Sequence, residues 1–222
     1  MGISSLIKPI SESGMFVGVP ENEVSTLLGK FGARCARYEK GEIILRSGVR
    51  VHEFGLLVCG GASIFHEDFW GNTTLISKLR EGQLFGEAFA LSGGAETHVT
   101  VTADKDCAVV WMCAVKVTDV GENPTAAHTR VLVNLLSDFA AKTLTVNEKI
   151  RHMSKRTTKQ KLLSYLSARA EENGSSEFDI PLGRTQLADY LAVDRSAMTT
   201  ELSKLQKEGA VEFSGRHFRL KV

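Results

Sequence analysis

Short apolar runs separated by glycine turns mark the segment from about residue 36 to residue 112. The runs that predict strands are residues 42–45, 54–58, 62–65, 73–76 and 108–112. The turn signals between them are Lys40-Gly41, Ser47-Gly48, Gly60-Gly61, Trp70-Gly71-Asn72 and Glu81-Gly82. Recurring turns at a spacing of about ten residues are typical of a sandwich or barrel-like unit. The pattern therefore predicts an antiparallel β domain, preceded by an amphipathic stretch at residues 21–31.

A different pattern begins near residue 125, where mostly apolar side chains recur at alternating spacings of four and three residues. They are Leu132, Leu136, Phe139, Thr143, Val146, Ile150 and Met153, with Thr143 the one polar member. This heptad stripe predicts a long helix over residues 125–154. The stripe could pack against a second copy of the helix or against the chain's own β domain. A helix of about 28 residues extends about 40 Å, more than one small domain covers, which favours a coiled-coil dimer.

The C-terminal segment has the spacing of two short helices, a turn between them and a hairpin after them. Residues 184–191 predict a first helix with Leu187 and Leu191 buried, and Ala192-Val193 predicts the turn. Asp194 is a good N-cap for a second helix. The buried face of that helix carries Met198, Leu202 and Leu205, and Gly209 closes it. Two β runs around Ser214-Gly215-Arg216 complete a winged helix-turn-helix.

Polar residues on the outer face of the second helix are the predicted DNA readers, because its first turns enter the major groove in this geometry. These residues are Arg195, Ser196, Thr199, Thr200 and Lys204, with Lys204 nearer the DNA backbone. Arg195 is the predicted direct contact, since a guanidinium binds guanine or phosphate through two parallel hydrogen bonds. Thr185 and Arg216 are predicted phosphate contacts. A packed hairpin without a nucleic-acid role would leave this polar face and the wing unexplained.

The distribution of charge supports a chain with two functional parts. From Glu148 onward the chain has 14 Lys and Arg against 10 Asp and Glu, a net charge of +4, and residues 1–147 have a net charge of −3. A basic end on an acidic body suits a phosphate-binding module. The predicted boundary lies near residues 151–157. The predicted domains are a β domain at 1–124, the long helix at 125–154 and the DNA-binding domain at 155–222.

From about Phe16 to its end, the chain resembles the cAMP receptor protein and fumarate-nitrate regulator (CRP/FNR) family. The resemblance rests on the order of elements and on three motifs: Gly82-Gln83-Leu84-Phe85-Gly86-Glu87, Leu187-Ala188-Asp189-Tyr190-Leu191 and Val193-Asp194-Arg195-Ser196. It implies an α+β chain with an N-terminal double-stranded β-helix, a cyclic-nucleotide-binding-like β-roll, then a dimerisation helix and a winged helix-turn-helix. It further implies a homodimeric transcription regulator that binds a two-fold symmetric promoter site under the control of a small-molecule or redox signal. An activator of this kind also contacts RNA polymerase.

The effector region departs from the cyclic-nucleotide binders of that family. Those members have Gly-Glu followed by Arg-Ser-Ala or Arg-Thr-Ala, and the arginine neutralises the cyclic phosphate. Here Gly86-Glu87 is followed by Thr97-His98-Val99, so a buried phosphate would lack its charged partner, and cyclic AMP is not expected to bind. Val146 also offers no hydroxyl to a base. By position in the family pattern, the expected effector pocket comprises Gly86, Glu87, Thr97, His98 and Asn147, and its ligand is unknown.

The sequence predicts no metal site, and it leaves the identity of any cofactor unknown. Cys35, Cys59, Cys107 and Cys113 form no C-x-x-C pair, and the N-terminal cysteine cluster of the oxygen-sensing branch is missing, which argues against zinc and iron-sulfur sites. We interpret these cysteines as reduced structural thiols, with a redox-sensing role as the alternative. The candidates for a haem ligand are His52, His66 and His98. A lone histidine among strands is more often a surface residue, so haem is not expected.

Two other classes of function fit the sequence poorly. An enzyme is not predicted, because the chain has no P-loop, no G-x-G-x-x-G between a strand and a helix, and no G-x-S-x-G. A ligand-binding module that regulates a protein partner without specific DNA binding would have no use for residues 194–200 or the wing. No apolar run approaches the roughly 20 residues of a membrane span, and residues 1–10 lack a signal-peptide pattern, so we expect a cytoplasmic protein without membrane contact.

Overall fold

The computed structural model of the chain describes residues 3–221. The chain folds as two compact units, one ending at Phe139 and the other beginning at Ala140, so that the division falls within the long helix. Both units combine helices with an antiparallel sheet.

The first unit is built around two long antiparallel strands. Its elements are a 3-10 helix (Ile3–Leu6), α1 (Ile7–Ser11), α2 (Glu21–Lys30), β1 (Arg34–Tyr38), β2 (Ile43–Leu45), β3 (Glu53–Glu67), β4 (Thr73–Leu79), β5 (Leu84–Phe85), α3 (Glu87–Leu91), β6 (Val99–Cys113), α4 (Ala114–Thr118) and the first half of α5 (Ala126–Met153). The sheet order is β1-β6-β3-β4, with β2 also paired to β6 and β5 to β3. Alternate apolar residues of β3 and β6 lie in two different cores. One core lies between the strands, and the other lies under the helices.

β3 continues through Gly60-Gly61 without a break. The turn predicted there between two shorter strands is therefore wrong. The pairing of β3 with β6 changes register between Cys59 and Gly61, which identifies a β-bulge. Gly60 has φ +93°, and a Cβ atom at this position would lie 2.4 Å from the Cβ of Cys107. Only glycine fits this close approach. The glycine pair therefore bends the strand without ending it.

A buried histidine fixes the beginning of α5 to the first unit. His128 is fully buried, with its Nε2 2.7 Å from the carbonyl oxygen of Val117 and its Nδ1 3.1 Å from Lys30 Nζ. The carbonyl only accepts and the ammonium only donates, so neutral His128 with its proton on Nε2 satisfies both partners. Elements α2, α4 and α5 thus meet at one side chain.

The second unit contains the C-terminal half of α5, three further helices and three strands. These are α6 (Thr158–Asn173), β7 (Glu177–Asp179), α7 (Arg184–Leu191), α8 (Arg195–Lys207), β8 (Val211–Ser214) and β9 (His217–Leu220). The sheet order is β7-β9-β8, and β8 and β9 form the predicted hairpin. One core, which includes Leu166, Leu187, Met198, Leu202 and Phe218, joins the helices to this sheet. The predicted succession of antiparallel β domain, long helix and winged helix-turn-helix is confirmed.

The stripe predicted along α5 is largely exposed in the single chain. Leu136, Val146 and Ile150 are 69%, 55% and 57% exposed. Leu132 differs, because it is partly buried against the core of the first unit. The Leu132 side chain therefore packs at least partly against the chain's own β domain. The sequence left this packing open as an alternative for the whole stripe.

The four cysteines are free thiols, and they differ in exposure. Cys59 is exposed, Cys107 is buried, and Cys35 and Cys113 are intermediate. Burial raises the pKa of Cys107 to about 11, with smaller contributions from Cys59 and Asp106. A thiol with so high a pKa is largely protonated at neutral pH and weakly reactive. Over residues 3–221, no helix is both long and apolar enough to cross a membrane.

Candidate nucleic-acid interface

The turn between α7 and α8 fixes where the second helix of the reader begins. Ala192 ends α7 in the left-handed region with φ +49°. The Asp194 carboxylate then accepts hydrogen bonds from the Ser196 hydroxyl and, at 2.9 Å, from the backbone N–H of Ala197. These bonds, with Ser196 the larger contributor, lower the pKa of Asp194. The cap places Arg195 in the first turn of α8.

The two faces of α8 are sharply different. Met198, Leu202 and Leu205 are buried in the core of the unit. The opposite face lines an open groove of about 580 Å³, formed by Asp194, Arg195, Ser196, Thr199, Thr200 and Ser203. Four predicted readers thus lie together on one face. Lys204 is exposed but is not part of the groove wall, and it pairs with Glu201 at 3.3 Å.

Sequence reasoning missed Ser203, although its position three and four residues after Thr200 and Thr199 places it on the same helix face. Its hydroxyl donates to the carbonyl of Thr199 at 3.0 Å, and the Thr199 hydroxyl donates to the carbonyl of Arg195 at 2.8 Å. Both hydroxyl protons are engaged, so these oxygens remain available as acceptors. Arg195 is exposed, and within residues 3–221 its guanidinium forms no ion pair. The groove therefore presents an uncommitted cation beside hydroxyl acceptors.

The two predicted phosphate contacts lie at the edges of the helix-turn-helix. Thr185 is the second residue of α7 and is exposed. Arg216 is exposed in the turn between β8 and β9, next to Gly215, whose φ is +59°. The Arg216 guanidinium reaches to 3.7 Å from the position of a Cβ on Gly183. It therefore lies beside the start of α7.

Arg184 is a structural member of this unit that sequence reasoning did not identify. Its guanidinium lies over the rings of Phe213 and Phe218, 4.6 and 4.9 Å from their centroids. Burial lowers its pKa. Lys161 acts at the other end of α7, where its ammonium donates to the carbonyls of Leu191 and Ala192 at 3.1 and 3.3 Å. Both ends of α7 are thus held, one by the wing and one by α6.

Four of the five residues expected to form an effector pocket lie in the first unit. Gly86 has φ +75° and precedes α3, and Glu87 is buried. Thr97 is also buried, and its hydroxyl is hydrogen bonded to the backbone of Val99. His98 is exposed and makes an edge-to-face contact with Phe89 at 6.5 Å. Asn147 is exposed on the part of α5 that belongs to the second unit.

Comparisons with known proteins agree with this architecture. Residues 35–120 match the family model for the cyclic nucleotide-binding domain, and residues 160–221 match that for the Crp-like helix-turn-helix domain. The chain is 22% identical to the transcriptional activator protein FnrL of Cereibacter sphaeroides over 188 residues, which cover 81% of this chain and 73% of FnrL.

Solved structures show the same fold at low sequence identity. The catabolite activator protein of Thermus thermophilus superposes with a TM-score of 0.53 at 19% identity, covering 94% of each chain. The c-di-GMP responsive global regulator CLP of Xanthomonas campestris superposes with a TM-score of 0.54 at 16% identity, covering 89% of this chain and 99% of CLP.

The two matched domains, separated by a long helix, define a DNA-binding transcription regulator. The chain belongs to the CRP/FNR family. That family consists of transcription regulators and not of enzymes.

Proposed function

We propose that this regulator is a homodimer that binds a two-fold symmetric promoter site in the cytoplasm, under the control of a small-molecule or redox signal received by its first unit. The observation that carries the proposal is the outer face of α8, where Arg195 has no ion pair among residues 3–221 and lies beside the hydroxyls of Ser196, Thr199 and Thr200. A helix that presents such groups from its first turns can read base edges in the major groove. As an activator, the protein would also contact RNA polymerase.

The exposed stripe on α5 supports the dimer. Leu136, Val146 and Ile150 leave more than half of their surface in water in the single chain. Burying these side chains against a second copy would remove apolar surface from water, which stabilises association by about 25 cal/mol per Å² before the entropy of association is subtracted. The repeat of four and three residues is that of a two-stranded coiled coil. Two such helices would give the two reader units the two-fold symmetry of the site.

The chemistry of the first unit supports an effector other than cyclic AMP. Thr97 replaces the arginine of the cyclic-nucleotide binders, and its hydroxyl is already bonded to the backbone of Val99. A cyclic phosphate placed there would lose its hydration without gaining a charged partner. CLP is named for its response to c-di-GMP, but the likeness to CLP extends to the fold alone. We likewise propose that neither haem nor an iron-sulfur cluster is the effector.

The dependence of DNA affinity on salt tests the proposal. Lys204 and Arg216 are two cationic phosphate contacts per protomer, or about four in the dimer, so the slope of log K against log salt should be about −4. Replacing Arg216 with alanine removes one contact per protomer and should reduce the slope by about 2. The slope is measured by fluorescence anisotropy with a labelled duplex.

Arg219→Ala is the matched control, because it removes the same charge from the same hairpin. Arg219 is paired with Glu177 and lies 3.8 Å from Glu212, so two carboxylates compete with phosphate for it, whereas Lys204 faces only Glu201 among the ion pairs of the described residues. The slope of this variant should equal that of the wild type. Absence of duplex binding at low salt in all three proteins would refute DNA binding and favour a module that acts on a protein partner, whereas binding with no salt dependence would refute the phosphate contacts.

A further inference from the structure

The last two turns of α5 are joined to the helix-turn-helix by a polar and aromatic cluster with two buried members, His152 and Tyr165, and four partly buried ones. We call it the joint cluster, and its members are Glu148, His152, Ser164, Tyr165, Arg169 and Tyr190. The residues come from three elements, α5, α6 and α7, all within the second unit. The connection between α5 and α6, by contrast, is exposed from Ser154 to Thr157.

His152 is at the centre of the joint cluster and has no exposed surface. Its Nδ1 lies 2.9 Å from the hydroxyl of Ser164. Its ring contacts those of Tyr165 and Tyr190, at centroid distances of 5.8 and 6.2 Å, and the two tyrosine rings are 5.4 Å apart. A single side chain of α5 thus contacts both α6 and the first helix of the helix-turn-helix.

The remaining nitrogen of His152 faces a charged pair. Its Nε2 is 3.5 Å from Glu148 Oε1, and it has no hydrogen-bond partner in the part of the chain that the structure describes. The same Glu148 oxygen accepts a hydrogen bond from Arg169 at 2.9 Å, and the Arg169 guanidinium lies 5.6 Å from the centre of the Tyr165 ring. Burial opposes ionisation of Glu148, but Arg169 and, to a smaller extent, His152 lower its pKa. Glu148 therefore stays charged and keeps the ion pair between α5 and α6.

We propose that His152 is a positioning residue, which holds the helix-turn-helix at a fixed angle on the end of the dimerisation helix through its contacts with Ser164, Tyr165 and Tyr190. The inference rests on the proposed function, because it concerns how a dimer sets its two readers. The half-sites of a symmetric operator lie about 34 Å apart, one turn of DNA, so both readers bind together only if each is held rigidly on its helix. The exposed Ser154–Thr157 connection makes no comparable set of contacts.

A comparison of full-site and half-site binding separates positioning from reading. Ser164→Ala removes the hydrogen bond to His152 and leaves the surface of α8 intact. We expect it to weaken binding to a two-fold symmetric duplex by about three- to tenfold, the effect of one partly buried hydrogen bond, and to leave binding to a single half-site unchanged. Ser167→Ala, on the exposed side of the same helix, is the matched control and should behave as wild type on both duplexes.

Substitutions of His152 itself give a second comparison. His152→Ala should show the selective loss on the full site, whereas His152→Asn should restore binding, because its amide can replace Nδ1 as the partner of Ser164. Thermal unfolding of each variant shows whether the unit remains folded. Ser164→Ala provides the decisive comparison where His152→Ala does not fold.

Lowering the pH should weaken the contacts of the joint cluster. Burial lowers the pKa of His152, an effect that Glu148 opposes and that Arg151 and Arg169 reinforce, and the rings of Tyr165 and Tyr190 also pack against it. In the unfolded chain the pKa of His152 is about 6.5, so well above that pH the ring is neutral in both the folded and the unfolded state. Below that pH the unfolded state binds protons first, so the joint cluster becomes less stable as the pH falls. The ratio of full-site to half-site affinity should therefore drop between about pH 7.5 and about pH 5.5 in the wild type and stay level in His152→Asn.

Three results would overturn the inference. Equal losses on full and half sites in Ser164→Ala would show a general structural role, and unchanged binding to both would show that the bond is dispensable. A pH response in His152→Asn equal to that of the wild type would assign the titration to another group. If the wild type prefers neither duplex over random DNA, the proposed function itself fails, and this inference fails with it.

Discussion

Replacing Arg195 with alanine is expected to weaken specific DNA binding by roughly 1–3 kcal/mol at the base pair that Arg195 contacts, which is about 5- to 150-fold in Kd for each half-site. Arg195 lies in the first turn of α8, is exposed and has no ion pair within the described residues, so its two parallel N–H groups are free to bind guanine. The variant should also lose its preference for that base pair. Anisotropy titrations on the specific duplex and on duplexes changed at one base pair measure both effects.

Lys207→Ala is the control for charge. Lys207 is exposed in the last turn of α8, so its removal lowers the charge of the same helix without changing the groove. We expect a small loss that is equal on all sequences. If Arg195→Ala kept the affinity and the base preference of the wild type, α8 would not be the reading helix.

Replacing Ile150 with glutamate is expected to dissociate the dimer and, as a consequence, to abolish binding to a full site. Ile150 is 57% exposed in the single chain and belongs to the stripe of α5. In a dimer, two carboxylates would face each other in the apolar seam without partners, at a penalty of several kcal/mol per buried charge. Sedimentation velocity measures the change from dimer to monomer.

Thr145→Glu adds the same charge to an exposed position off the stripe, where the Thr145 hydroxyl bonds only to the carbonyl of Ala141 on its own helix. This control should remain dimeric and bind DNA. A stable dimer in Ile150→Glu would place the interface on another surface, whereas monomers in both variants would indicate general damage to α5.

The reader could be predicted from the sequence because its signals are local. Asp194 as a cap, Ala192-Val193 as a turn and the spacing of Met198, Leu202 and Leu205 depend only on neighbours within one or two helical turns. The structure has α7 and α8 at the predicted positions. Arg184 was missed because its partners, Phe213 and Phe218, lie about thirty residues further along the chain, and no local signal links them.

The sequence predicted an antiparallel β domain but not all of its strands and turns. A Gly-Gly pair carries the same local signal in a turn and in a bulge, and at Gly60-Gly61 the pairing of β3 with β6 decides between them. β1 was not predicted, because its polar sequence forms a strand only through its ladder with β6. Thr97 and His98 could be placed by their order along the chain, but the ligand depends on groups that several strands bring together.

The joint cluster was outside the reach of sequence reasoning for the same reason. His152 and Tyr190 are far apart in sequence, and only the packing of α5, α6 and α7 makes them neighbours. The sequence placed a domain boundary near residues 151–157, at the polar break in the helical pattern. In the structure, the last turns of α5 belong to the unit that begins at Ala140.

The decisive experiment on DNA recognition is the selection of bound duplexes from a random DNA pool with the purified 222-residue chain at moderate salt. The selection is run alone and with a panel of small organic acids, aromatic compounds and a reductant. Our account predicts enrichment of a two-fold symmetric site whose half-sites are one DNA turn apart, and loss of that enrichment in Arg195→Ala. Enrichment of no sequence under any condition, by the full chain or by residues 140–222 alone, would contradict it.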